Sequence, residues 1–139
     1  MTAVVDTSVI VGAFNERDAM HVRALQMLAE IREGRHGEVF TTDFILDEVV
    51  TVLLSRTGRH EIAVQAVDFV VPSEPEEAWL VLEPIGEETF FQALDAFRRS
   101  GRRELSFTDW TTVAFVRDGR ADAVISFDED FDGLVTRIG

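Results

Sequence analysis

Four short apolar runs punctuate the chain, and stretches of helical periodicity separate them. The runs are Ala3 to Val5, Glu38 to Thr41, "AWLVLEPI" at 78–85 and "ADAVIS" at 121–126, with "LVTRI" at 134–138 a candidate fifth. Runs this short and this apolar suit strands buried on both faces. Between the first two, Asp18 to Arg32 repeats apolar residues at Val22, Leu25 and Leu28, widened by Ala24, Met27 and Ile31 into one predicted helical face. Behind Thr42 or Asp43 as cap, Ile45, Val49, Val52 and Leu53 recur at helical spacing until Gly58. A helix over about 59–71 is predicted to bury Ile62, Ala66, Phe69 and Val70 before Pro72. Another, after Pro84, carries Phe90, Phe91, Leu94 and Phe97 on one side, and a last one starts behind Ser106 or Thr108 and reaches about Asp118. Strands alternating with single or paired helices specify an α/β fold: a parallel sheet of four to five strands covered by helices on both faces.

At 139 residues the chain is expected to be one domain, long enough to close a core without metal or disulfide staples. Cysteine is absent, which excludes disulfide frameworks, zinc-thiolate sites and thiol nucleophiles. Lysine is absent too, so all 13 basic residues are arginine. A P-loop needs its lysine on the phosphates, and that reading fails here. No apolar run approaches the ~20 residues of a membrane span, and the N-terminus lacks a basic-then-apolar order, so a cytoplasmic location without membrane contact is expected.

Ligands of open parallel sheets collect beyond the carboxyl ends of the strands. Asp6 follows the first run and Asp128 the fourth, and both face one crevice if their strands are neighbours. With Ile45 at zero on a helical wheel, Val49, Val52 and Leu53 fall within about 80°, Glu48 lies about 60° to one side, and Asp47 lands nearly opposite. Glu48 thus borders the core, where a carboxylate is costly unless a cation or hydrogen bond compensates it. Asp109 stands in the first turn of its helix, three residues after Ser106. Taken singly, each acid also suits a cap, a turn or a solvated edge. "DEDFDG" at 128–133 also opens like a calcium loop, but twelfth from Asp128 is Gly139, where a bidentate Glu is required.

The segments "VVDTSVI", "FILDEVVTVL", "LSFTDW" and "VISFDEDF" resemble, in order and along the whole chain, the four acidic signatures of PIN domains, most closely the VapC group of toxin ribonucleases. The resemblance implies a site of Asp6, Glu48, Asp109 and an acid from Asp128 or Asp130, with Asp128 favoured as ligand and Asp130 as support. Thr7, Ser8 and Thr108 are candidates to orient those carboxylates. Hard oxygen donors select Mg2+ or Mn2+ over zinc. The implied activity is metal-dependent hydrolysis of RNA phosphodiesters leaving 5′-phosphates. The implied partners are an RNA substrate, a cognate antitoxin and a second copy of the chain, with apolar residues on the exposed sides of the first helices available for the protein contacts. An inactive protein-binding PIN module and a housekeeping PIN nuclease of RNA processing stay open as alternatives.

A net charge of −13 opposes RNA binding, which arginine and lysine contacts to phosphate dominate. Arg98, Arg99, Arg102 and Arg103 form the densest basic cluster, with Arg56 and Arg59 a second patch. The cluster equally suits a helix C-terminus, where positive charge complements the dipole. Phe14 and Trp110 flank acids and are candidates for substrate contact. His21, His36 and His60 lack paired ligand spacing and are expected at the surface.

Overall fold

The structure, a computed structural model, describes residues 1–139. Its strands are β1 (Thr2–Val5), β2 (Glu38–Thr42), β3 (Val81–Glu83), β4 (Ala123–Ile125) and β5 (Arg137–Ile138). Its helices are α1 (Thr7–Phe14), α2 (His21–Arg32), α3 (Asp43–Thr57), α4 (His60–Val70), α5 (Glu87–Ser100) and α6 (Phe107–Arg117). The five strands form one parallel sheet in the order β3-β2-β1-β4-β5, with helices on both faces. Val4 pairs with Phe40 on one side and Val124 on the other. The chain lays β1, β2 and β3 outward in one direction and then returns to place β4 beside β1, so the topological switch lies between β1 and β4. A crevice opens at such a switch because the connections leave the two strand ends in opposite directions.

Local signals set most element ends. The Thr42 hydroxyl accepts a hydrogen bond from the Ile45 amide at 3.1 Å, and α3 stops at Gly58, whose φ of 65° is left-handed. Of the two candidate caps for α6, Ser106 is the one used. It forms a reciprocal pair with Asp109: the Ser106 hydroxyl accepts from the Asp109 amide at 3.1 Å, and the Asp109 carboxylate from the Ser106 amide at 2.8 Å.

Three helices depart from the periodicity reading. The sequence assigns no helix to 7–14, yet α1 lies there, with Thr7, Val9, Ile10, Val11, Gly12 and Ala13 all buried. A helix enclosed on every side has no polar face, so "TSVIVGAF" carries no 3.6-residue signal to read. In α2 the inward face is Ala24, Met27, Leu28 and Ile31, while Val22 and Leu25 point to solvent. Small residues decide that rotation. A Cβ placed on Gly12 of α1 would meet the Ala24 Cβ at 3.0 Å, so the two helices touch where neither has bulk. In α5 only Thr89 and Ala93 are fully buried, and Phe91 and Phe97 are largely exposed. Phe90 and Phe97 still meet Phe107 of α6, at 5.7 and 5.9 Å between ring centroids. In α4, Ala63 joins Ala66 and Val70 in the core, and Ile62 and Phe69 pack at its edge.

His60 is exposed as expected, but His21 and His36 are half-buried in structural hydrogen bonds, to the Gly12 carbonyl at 2.8 Å and to Glu30 at 3.0 Å. No helix is long and apolar enough to cross a membrane.

Candidate metal centre

A cavity of about 270 Å³ opens at the β1/β4 switch, lined by Asp6, Thr7, Ser8, Asp18, Glu48, Arg56, Glu104, Ser106, Asp109 and Asp128 among others. Asp6 leaves the end of β1 as the N-cap of α1, and its side chain accepts from the Ser8 amide at 3.4 Å. Glu48 comes from α3, where it sits half-buried beside the core while Asp47 is exposed, as the helical wheel indicates. Asp109 enters from the first turn of α6. One carboxylate oxygen from each of these three residues lies within 4.8 Å of the others.

Serines organise the trio. The buried Ser126 hydroxyl donates to Asp6 Oδ2 at 2.8 Å and accepts the Asp128 amide at 3.0 Å, and it lies 3.3 Å from the Ser8 hydroxyl. Ser8 in turn accepts the Phe127 amide at 3.1 Å, so the loops after β1 and β4 are tied together at the pocket floor. The Ser106 hydroxyl donates to Glu48 Oε2 at 3.1 Å, linking that acid to the cap of α6. The sequence reading missed Ser126 and used Ser106 only as a cap. A hydroxyl at the end of a strand, two residues before an acid, was the available signal for Ser126.

The remaining candidates fall into different places. Asp128 lines the pocket but stands outside the close trio, its Oδ1 accepting the Asp130 amide at 2.9 Å. Asp130 lies off the pocket, in the short 3-10 turn Glu129–Phe131. Thr7 lines the pocket, and its buried hydroxyl has no hydrogen-bond partner. Thr108 does not line it; its carbonyl serves the hydroxyls of Thr111 and Thr112. Trp110 is buried and away from the pocket surface. Of the arginine cluster, Arg99 is paired with Asp95 at 2.6 Å and Arg102 with Glu104 at 3.1 Å, and none of Arg98, Arg99, Arg102 and Arg103 lines the cavity.

The site is electrostatically loaded. Burial pushes the Asp6 carboxyl up to about 6 against the opposing Ser126 hydrogen bond, and the nearby Glu48 adds to the rise. Burial, then the charge of Asp6, pushes Asp109 up to about 7. Asp6 Oδ1 is buried without any hydrogen-bond partner. A carboxylate oxygen desolvated in this way is costly unless a cation meets it. The residues therefore fit a hard divalent ion: three oxygen donors at ligand spacing, an unsatisfied oxygen on the Asp6 carboxylate, and no His or Cys among the pocket residues. Removing the hydroxyl that orients Asp6, in Ser126→Ala, is expected to weaken Mn2+ binding ~10- to 100-fold by calorimetry.

A PIN domain model matches residues 3–135. A VapC ribonuclease of Archaeoglobus fulgidus is 34% identical over 53 residues, which is 38% of this chain and spans only 34% of that relative's length. Among solved structures, the sarcin-ricin loop cleaving toxin VapC20 of Mycobacterium tuberculosis superposes with a TM-score of 0.78 at 29% identity, over 93% of this chain and 92% of that one. VapBC2 of Rickettsia felis, bound to a DNA fragment from its promoter, shares the fold at a TM-score of 0.66 and 12% identity, over 99% of this chain and 98% of the other. Because the family model runs from the first strand past the last acidic turn and so takes in all four acidic segments, the chain belongs to the PIN domain family.

Proposed function

We propose that this PIN domain is a cytoplasmic endoribonuclease that hydrolyses RNA phosphodiesters with Mg2+ or Mn2+ and serves as the toxin of a VapBC-type pair. The observation that carries the reading is the trio of Asp6, Glu48 and Asp109 around an unsatisfied carboxylate oxygen, in an open pocket at the sheet's switch point. The likeness to VapC20 over nearly the whole of both chains supports the toxin assignment.

In this reading Asp6, Glu48 and Asp109 hold the ion, which when bound neutralises charge on the scissile phosphate and makes water nucleophilic at neutral pH. Ser126 and Ser106 hold the Asp6 and Glu48 carboxylates in place before substrate arrives. Asp128 keeps one oxygen on the Asp130 amide and leaves the other to orient water or accept its proton at the pocket edge. Val11, Val52 and Phe127 supply apolar wall beside the acids and limit access of bulk water. Antitoxin and a second copy are the partners, and Val22 and Leu25 on α2 with Phe91 and Phe97 on α5 are apolar side chains left exposed for such contacts.

Cleavage of single-stranded RNA is expected to vanish in EDTA and return with Mg2+ or Mn2+, leaving 5′-phosphate ends. Cleavage undiminished in EDTA rejects the reading.

A further inference from the structure

The acidic pocket contains one base, Arg56, in the last turn of α3. That arginine also lines a second cavity of about 440 Å³, whose wall includes Arg17, Arg59, Phe14, Asn15 and Gln65. Its charged lining is three arginines against a single acid, Glu16. In a chain whose acids outnumber its bases by 26 to 13, this is a local reversal of sign placed directly beside the candidate metal centre.

Eight arginines lie near an acid, and Arg56 is the most loosely held of them. Its Nη1 is 3.6 Å from Asp18 Oδ2, beyond hydrogen-bond length, whereas the other seven pairs close to 3.4 Å or less. Asp18 is itself engaged, since its Oδ1 accepts the Met20 amide at 2.8 Å in the turn between α1 and α2. Arg17 has no acid partner, and the Arg59–Glu61 pair at 2.7 Å is open to solvent on both sides, the kind of pair that contributes little. The three guanidinium groups are therefore available to an anion. Phe14, whose ring packs against Phe69 at 5.5 Å between centroids, adds apolar wall to this cavity, and Gln65 adds a side-chain amide.

We propose that the cavity at Arg17, Arg56 and Arg59 seats the RNA backbone adjoining the cleaved phosphodiester, with Arg56 spanning the boundary between the two cavities. The assignment rests on the nuclease reading and adds to it the track by which a polyanion enters a negative pocket: phosphates flanking the scissile one lie on arginine while only the scissile one lies over the acids. It also moves the main RNA contact away from Arg98, Arg99, Arg102 and Arg103.

The test is the salt dependence of binding of a single-stranded RNA oligonucleotide to the full chain, in the presence of Ca2+ to hold cleavage in check, with Mn2+-supported cleavage of the same RNA run in parallel. Each of Arg17→Gln, Arg56→Gln and Arg59→Gln is expected to weaken RNA binding and to reduce the slope of log affinity against log salt by about 0.7, so that the triple variant loses roughly 2. Mn2+ binding measured without RNA is expected to stay unchanged in Arg17→Gln and Arg59→Gln, whose side chains lie outside the acidic pocket. Arg56→Lys restores the slope, which a purely structural role of the guanidinium at the helix end does not predict. An unchanged slope in the triple variant overturns the proposal, as does a slope that falls only in Arg98→Gln/Arg103→Gln. A wild type that binds RNA but does not cleave it with Mn2+ overturns the nuclease reading instead, and the slopes then report binding alone.

Discussion

In Asp6→Asn, the proposed divalent-dependent RNA cleavage is expected to fall by roughly 10³-fold or more, the equivalent of about 4 kcal/mol of transition-state stabilisation, while the protein stays folded. The two outcomes separate because Asp6 does two things. Its carboxylate contributes one of three oxygens in a cluster within 4.8 Å, so removing its charge removes the centre of the proposed ion site. Yet the same carboxylate is buried, has Oδ1 unsatisfied, and is held up at about 6 by that burial, so in the ion-free protein above that pH its charge works against folding. Asn keeps the shape and can still accept from Ser126 without carrying a charge. Thermal unfolding in EDTA at pH 8 is therefore expected to occur at the same or a higher temperature than in the wild type. A variant that cleaves RNA at wild-type rate, with or without metal, refutes the assignment of Asp6.

The second large effect is an inversion of pH dependence by metal. Asp6 and Asp109 have ordinary values of 3.8 when unfolded and stand at about 6 and about 7 in the fold. The folded state consequently binds more protons than the unfolded one between these limits. The stabilisation that those protons supply is complete below about pH 4 and is lost as pH rises through 6 and then 7. For Asp6 alone the change is roughly 3 kcal/mol. The contribution of this site thus makes the ion-free protein less stable at pH 8 than at pH 5, measured as urea unfolding in EDTA. An ion at ~10⁴ times its dissociation constant adds about 5 kcal/mol of stability, more than the roughly 4 kcal/mol that the two carboxyls together lose between pH 5 and pH 8. Because the ion needs deprotonated carboxylates, it does so at pH 8 and much less at pH 5. Mn2+ is expected to reverse the order of the two midpoints. The same order with and without Mn2+ would show that these acids do not form its site.

Elements bounded by short-range chemistry were readable from the residues. Thr42, Gly58 and the Ser106–Asp109 pair act within four residues of themselves, so the ends of α3 and the start of α6 were legible to within two residues, and the structure chose Thr42 over Asp43 and Ser106 over Thr108 as the caps. Glu48 was legible for the same reason: one turn of α3 suffices to set it beside Val49 and Val52 and to turn Asp47 outward. Helix rotation was less legible. α2 has apolar residues on two faces, and only the seating of Ala24 against Gly12, twelve residues back, selects which face is buried. α1 was invisible because enclosure on all sides removes the polar stripe that periodicity needs.

By itself, then, the order of apolar runs and helical stretches determined a parallel α/β sheet with acids at its strand ends, because strand burial and helix amphipathicity are written into neighbouring residues. The tertiary structure alone decided that Asp6, Glu48 and Asp109 close to within 4.8 Å while Asp128 stands at the edge and Thr108 lies outside. It also decided that Ser126 holds Asp6, and that the base lining the acidic pocket is Arg56, shared with the cavity that Arg17 and Arg59 line, whereas none of the denser run at 98–103 lines either. Those placements depend on how far β1, α3 and α6 approach one another, a distance set by packing between segments up to a hundred residues apart.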